Sequence, residues 1–225
     1  MKRRWLILNV VLLSLIMALP ASTQTKSVLV NGGFETALNE WQILVAGTLT
    51  RTTTAPHSGS YAAQVDTTAD DGYGWAYQCI DLSSHLATWP TAPDGKKYLT
   101  LDGYVKSDGE ANVALEIEFY TGINCTNPIS ETQKSSIDTN SVNWTLLSVT
   151  DEITDTAVSV TANFWGYTLN SVATTFYADD LRVFSSASVN AVQLQGLKAR
   201  AGLWSIGLAS TVLVGTLLLR RRRVS

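Results

Sequence analysis

The sequence predicts an all-β domain built as a two-sheet β-sandwich, followed by one transmembrane helix near the C-terminus. Three observations point there. Between residues 25 and 185, short β-branched and aromatic runs are punctuated by Gly, Thr, Ser and Asp. No long stretch in that interval repeats apolar residues with a helical period. Beyond it, Ala201 to Leu219 holds no charged residue and abuts Arg220-Arg221-Arg222-Arg223.

In chain order the expected strands are Ser27 to Val30, Trp41 to Ala46, Tyr61 to Asp66, Gly74 to Asp81, Tyr98 to Lys106, Ala111 to Tyr120, Asn143 to Val149, Ala157 to Tyr167 and Thr175 to Phe184. Roughly nine strands at this spacing fit two packed sheets. Side chains alternate between the two faces of a strand. Val158, Val160, Ala162 and Phe164 then point into a core, leaving Thr161, Asn163, Trp165 and Tyr167 outside. Leu99, Leu101 and Val105 point inward, Asp102 and Tyr104 outward. Glu116, Glu118 and Tyr120 share an outward face, and Trp75 with Tyr77 repeats the pattern. Trp41 and Trp144 are assigned to the core.

The N-terminus runs from Met1-Lys2-Arg3-Arg4 through the apolar Trp5 to Leu19 into Pro20-Ala21-Ser22-Thr23, the charge, apolar and small-residue order of a secretory signal over residues 1–23. Cleavage is expected between Ala21 and Gln24, with an uncleaved anchor as the alternative. A β-domain over 24–185 and a polar linker over 186–200 follow. The apolar segment 201–219 reaches about 28 Å as a helix, enough to span a bilayer. The arginines of the 220–225 tail stay on the cytoplasmic side, so the domain lies outside, in the cell membrane as a single-pass protein. The tail also resembles those removed by sorting transpeptidases, although no Leu-Pro-x-Thr-Gly motif precedes it.

All 19 acidic residues lie between Glu35 and Asp180, against seven basic ones from Gln24 to Leu197, a formal charge of −12. Such a domain repels nucleic acid and anionic polymers and tolerates divalent cations. About 160 residues suffice for one core. Cys79 and Cys125 are the only cysteines; export would let them form a disulfide worth about 4 kcal/mol in the chain-entropy model, the alternative being two buried thiols. His57 and His85 have no zinc-like spacing, and no nucleophile elbow, phosphate loop or dinucleotide fingerprint occurs.

Two acidic motifs bracket the domain: Asn31-Gly32-Gly33-Phe34-Glu35 and Tyr177-Ala178-Asp179-Asp180-Leu181-Arg182-Val183. Alternation puts Asp179 on the face of Tyr177, Leu181 and Val183, where a carboxylate needs a partner, and a hard cation shared with Glu35 would serve. With Trp41, His57-Ser58-Gly59-Ser60-Tyr61 and Trp144, these motifs resemble the CenC-type carbohydrate-binding modules over roughly residues 28 to 185. The resemblance implies a galactose-binding-like jelly roll. It also implies a structural calcium held by Glu35 and Asp179, with Gly33, His57 and Ser60 as main-chain candidates.

Pyranose rings stack on aromatic faces, and their hydroxyls need amide or carboxylate partners. The expected sugar-binding residues are Trp165, Tyr167, Asn163, Trp75, Tyr77, Tyr104, Glu116, Glu118 and Tyr120, with Asp102 beside them, provided these strands share a concave sheet. The expected function is non-catalytic carbohydrate binding by a membrane-tethered bacterial surface domain, with a polysaccharide or glycan as partner and no nucleic acid. The alternative is an adhesive protein making protein contacts at the cell surface. A glycoside hydrolase using Glu116 and Glu118 ranks last, since a pair on one strand points one way.

Overall fold

A computed structural model describes residues 26–45, 47–68, 72–109, 111–129, 134–139, 142–168 and 172–186. The expected signal segment, most of the linker, the membrane segment and the basic tail lie outside the described residues. Among the described residues no helix is long and apolar enough to cross a membrane.

The strands are β1 (Gln42–Ile43), β2 (Thr48–Thr52), β3 (Ala62–Asp66), β4 (Tyr73–Asp81), β5 (Tyr98–Ser107), β6 (Asn112–Gly122), β7 (Thr126–Pro128), β8 (Lys134–Thr139), β9 (Thr145–Glu152), β10 (Ser159–Tyr167) and β11 (Thr175–Ser186), with a one-turn helix α1 (Ser83–Leu86) between β4 and β5. A six-stranded sheet, here sheet A, has the order β1-β4-β10-β6-β7, with β8 also paired to β6. Sheet B is five-stranded, in the order β2-β3-β11-β5-β9. Every pairing is antiparallel. Antiparallel sheets tolerate one solvated face, and both use the other face to build a common core.

That core follows the alternation. Val160, Ala162 and Phe164 of β10 pack with Val113, Leu115, Ile117 and Phe119 of β6 and Ala76 and Ile80 of β4. Opposite them stand Leu99, Leu101 and Val105 of β5, Ala63 and Val65 of β3, and Phe176, Ala178, Leu181 and Val183 of β11. Phe34, wholly buried, lies 5.2 Å from the Trp41 ring and 6.3 Å from Phe164, and closes one end of the sandwich. Burial of such a side chain contributes about 2–3 kcal/mol.

Three expectations change. Ser27 to Val30 is not a strand: Val28 N donates to Val183 O of β11 (2.8 Å), but the ladder does not continue, since Val183 N donates to the Ser27 hydroxyl (3.1 Å) and the Val30 backbone bonds the Gln78 side-chain amide (2.8 and 2.9 Å). Trp144 is not in the core; it is half-buried, donates Nε1 to Ala55 O (3.2 Å), and packs across the outside of sheet B against His57 and Tyr177. Asp179 does not share a face with Leu181 and Val183. The β11–β5 register shifts between Asp179 and Arg182, and Asp180 adopts φ 53°. This bulge reverses the alternation, so Phe176 and Ala178 are core before it and Leu181 and Val183 after it, while Tyr177 and Asp179 face outward.

The bulge also explains the glycines of the first motif. Leu181 N donates to Gly32 O (2.9 Å), and a Cβ on Gly32 would collide with the Leu181 carbonyl. Cys79 of β4 and Cys125 after β6 form a disulfide across 46 residues. It ties the outer face of sheet A to the turn that follows β6.

Candidate functional site

The register of sheet A decides which expected residues meet. Trp165 stands opposite Trp75 on β4, and Asn163 opposite Tyr77 on β4 and Glu116 on β6. Thr161 stands opposite Glu118, Ser159 opposite Tyr120, and Tyr167 opposite Tyr73. Trp75, Tyr77, Glu116, Glu118, Tyr120, Asn163, Trp165 and Tyr167 therefore occupy one face of three adjacent strands. Tyr104 and Asp102 do not join them: both belong to β5, in sheet B. Alternation told their side of the strand correctly but carries no information on which sheet a strand enters.

One end of the face is aromatic. The Trp165 ring lies 5.8 Å from Tyr167, stacked at 22°, 6.2 Å from Trp75 and 6.2 Å from Tyr73. Tyr73 and Trp75 meet edge to face at 6.0 Å. All four rings are partly exposed. On the β6 side, Trp165 pairs with Ala114, whose small side chain leaves the indole room to lean along the strand. Trp165 Nε1 donates to Glu116 Oε2 at 3.2 Å. Trp75 Nε1 is buried with no acceptor among the described residues.

The other end is polar. Asn163 Nδ2 donates to Thr161 Oγ1 (3.0 Å), and Tyr120 OH donates to Glu118 Oε2 (2.5 Å). Tyr77 OH donates to Gln42 Oε1 of the edge strand (2.8 Å). Glu116, expected outward, does face outward yet is only 3% exposed, with Asn163 at 2% and Thr161 at 4%. These shorter groups form a floor beneath the rings. Burial, then the Glu116 charge, pushes the Tyr73 hydroxyl up to about 12, and burial together with the Glu118 bond raises Tyr120. From Thr161 to Tyr167 the strand runs about 20 Å.

Tyr73 and Gln42 escaped the sequence reading. Tyr73 shares the parity of Trp75 and Tyr77 and lies one residue before the expected strand start. Gln42 sits on a two-residue edge strand whose role only the pairing reveals.

The second candidate centre is the corner where the two acidic motifs meet residues 57–61. Asp179, wholly buried, accepts from His57 N (2.9 Å) and Ser58 N (3.0 Å) at Oδ2 and from Asp180 N (2.7 Å) at Oδ1. Glu35 Oε1 accepts from Ser60 N (2.9 Å) and Tyr61 N (3.1 Å). Gly59 between them has φ +60°, and a Cβ there would strike the Glu35 carboxylate. Asp180 bonds His57 Nδ1 (2.7 Å) and Ser58 Oγ (2.8 Å), and its Oδ1 lies 3.8 Å from where a Gly33 Cβ would stand. Arg51 already supplies one cation here: its guanidinium donates to the carbonyls of Phe34, Glu35 and Thr36, each at 2.7 Å, and covers the Tyr61 ring.

Glu35 and Asp179 thus hold opposite ends of the same short loop through its main-chain N–H groups. Burial raises the Asp179 pKa despite its three main-chain hydrogen bonds, and the neighbouring Asp180 charge adds to the effect. A divalent cation would offset that unfavourable charge. Among the described residues no group of three or more His, Cys, Asp and Glu side chains gathers around one point.

Comparison with solved structures finds β-sandwich domains. A family 61 carbohydrate-binding module solved with β-1,4-galactotriose shares 14% identity at a TM-score of 0.52, covering 72% of this chain and 100% of its own. A xylan-binding domain of family 22 shares 14% at 0.51, covering 76% and 99%. The enzymatically active domain of bacteriophage CBA120 tailspike protein 4 also matches, with 14% identity and a TM-score of 0.51, covering 71% of this chain and 21% of that one. The likeness is one of fold. No family model and no curated protein matches the sequence.

Proposed function

We propose that this protein binds carbohydrate, without catalysis, on the outer face of sheet A. The observation that carries the reading is the cluster of four partly exposed rings, Tyr73, Trp75, Trp165 and Tyr167, beside the polar groups of Glu116, Asn163 and Thr161 on the same face. Partly exposed rings offer faces to sugar C–H groups, and the half-exposed Glu118 and Tyr120 on the same face offer polar partners to hydroxyls. The two solved carbohydrate-binding modules of the same fold support this use of the sandwich.

Glu116 and Glu118 stand two residues apart on one strand and each accepts from a neighbouring side chain. A glycosidase brings an acid and a base or nucleophile to opposite sides of a bond. The pair here is better suited to holding hydroxyls.

The finer reading is a CenC-type jelly roll with a structural calcium between Glu35 and Asp179. It is exported by residues 1–23 and tethered outside the cell membrane by 201–219, with the arginines of the tail inside. A rival reading, adhesion through protein contacts, draws on Ile43, Leu44 and Val45, all exposed beside the β1 edge. The two separate on a glycan array probed with the full-length protein and its Trp165→Ala variant. Glycan binding lost in the variant supports the carbohydrate site; silence across the array transfers the weight to adhesion.

A further inference from the structure

We infer that the outer face of sheet A reads the end of a glycan chain rather than its interior, because the turn after β6 closes one end of that face. This rests on the proposed carbohydrate site and deepens it.

The disulfide builds the wall. Cys79 follows Tyr73, Trp75 and Tyr77 at two-residue intervals on β4, so it belongs to the outer face, where it stands opposite Thr161. Cys125 comes from the turn between β6 and β7, and β10 lies between β4 and β6 in the sheet. With the two Cα atoms 5.9 Å apart, the turn folds over the outer side of the start of β10. The contact is direct: Cys125 N donates to Ser159 Oγ (3.1 Å), and Ser159 Oγ donates to Gly122 O (2.6 Å). Ser159 is wholly buried and Thr161 nearly so, although both share the outward parity of Asn163 and Trp165.

The backbone shows how the turn gets there. Asn124, Cys125 and Asn127 adopt φ of 57°, 54° and 58°. Left-handed residues so close together bend the end of the hairpin sharply, and a cysteine keeps that conformation only where its surroundings hold it. Here the Cys79 bond and the Ser159 hydroxyl do so.

The two ends of the face are therefore unlike. At the closed end Cys79, Thr161 and Glu118 form one cross-strand row, and Tyr120, opposite Ser159, donates to Glu118. At the other end lie the four partly exposed rings. About 13 Å of strand separates Thr161 from Trp165, room for more than one pyranose. A glycan that touches both ends lies along the strands with a terminus against the turn. A terminal sugar carries a free hydroxyl where an internal unit carries its next glycosidic bond, and Glu118 and Tyr120 stand beside the wall to receive it. The units behind it stack on the rings. An internal segment in the same position would run its chain into the turn.

The test is a fluorescence titration of the full-length protein with β-1,4-xylan, β-1,4-galactan and β-1,3-glucan, each intact and after partial acid hydrolysis to chains about a tenth as long. Hydrolysis multiplies chain ends about tenfold, so for a polymer that binds, the half-saturating mass concentration should fall about tenfold. Tyr120→Phe should raise that value about threefold or more for the hydrolysed chains, because the closed end loses a hydroxyl. The double variant Cys79→Ala with Cys125→Ala frees the turn and should narrow the gap between intact and hydrolysed samples, its melting curve reporting that it is folded. Equal half-saturating masses before and after hydrolysis would overturn the inference while leaving the carbohydrate site standing. Unchanged binding in Tyr120→Phe, or a full gap in a folded double variant, would overturn it as well, since the turn would not be where the chain ends. No binding of any sample would remove the inference together with the reading beneath it.

Discussion

The outer faces of the two sheets are built from similar residues grouped in different ways. On sheet B, acidic and aromatic groups are held singly by partners within the chain. Asp102 is clasped by Arg182 through two bonds of 2.9 and 2.8 Å, Tyr177 donates to Asp108, and Asp66 accepts from Gln64 and Thr175. Tyr104 is covered by the His57 ring at 3.4 Å. On sheet A the polar groups are likewise bonded within the chain, but four rings gather in mutual contact and remain partly exposed. The difference teaches that an aromatic, acidic strand face is not by itself a binding surface. What sets sheet A apart is four partly exposed rings gathered in mutual contact.

The largest effect that can sharpen this contrast belongs to sheet B. Asp179→Ala would leave three main-chain N–H groups without their acceptor, and is expected to cost about 2–4 kcal/mol in denaturant unfolding. Calcium, if it sits between Glu35 and Asp179, should raise the melting temperature of the parent protein and not of this variant, while a chelator should lower the parent's. An unchanged parental melting curve with chelator would remove the metal from the account.

Next comes Trp165→Ala, which should weaken glycan binding by about tenfold or more with a smaller loss of stability than Asp179→Ala, because the ring is partly exposed. Its counterpart on sheet B, Trp144→Ala, should leave glycan affinity unchanged, since that indole is bonded to Ala55 and packed on His57. Equal effects of the two would break the contrast between the faces.

The smallest expected effect is on pH. Burial raises the pKa of both Asp179 and Asp102, with Arg182 opposing the shift at Asp102. Between the ordinary carboxylate value and the raised one, the folded state holds more protons than the unfolded state. These groups therefore make stability fall as pH rises through that window, and calcium should flatten the slope by favouring the charged form of Asp179. Unfolding free energies across the acid range, with and without calcium, measure this directly.

Much of sheet A was legible from sequence because its central ladders are regular. Two-residue alternation along 159–167 separates Val160, Ala162 and Phe164 from Asn163, Trp165 and Tyr167 without exception, and β4 and β6 keep the same register beside it. Sheet B defeated the same reasoning at one point. An extra residue in β11 inverts the pattern after Asp179, and an aspartate at positive φ leaves little trace in composition. The partition of strands between sheets was also hidden, so Tyr104 joined the expected site by parity alone. β2 and β8 carry few apolar residues, and pairing rather than pattern makes them strands. The depth of Glu116 could not be read either, because burial on an outer face depends on the height of the rings around it.

The account rests on sheet A being the face that holds a glycan. The direct measurement is tryptophan fluorescence titration of a glycan that binds the full-length protein, made in parallel on the Trp165→Ala and Trp144→Ala variants. The account predicts binding lost or weakened by about tenfold in the first and retained in the second. Retention in Trp165→Ala with loss in Trp144→Ala would place the site on sheet B and contradict it.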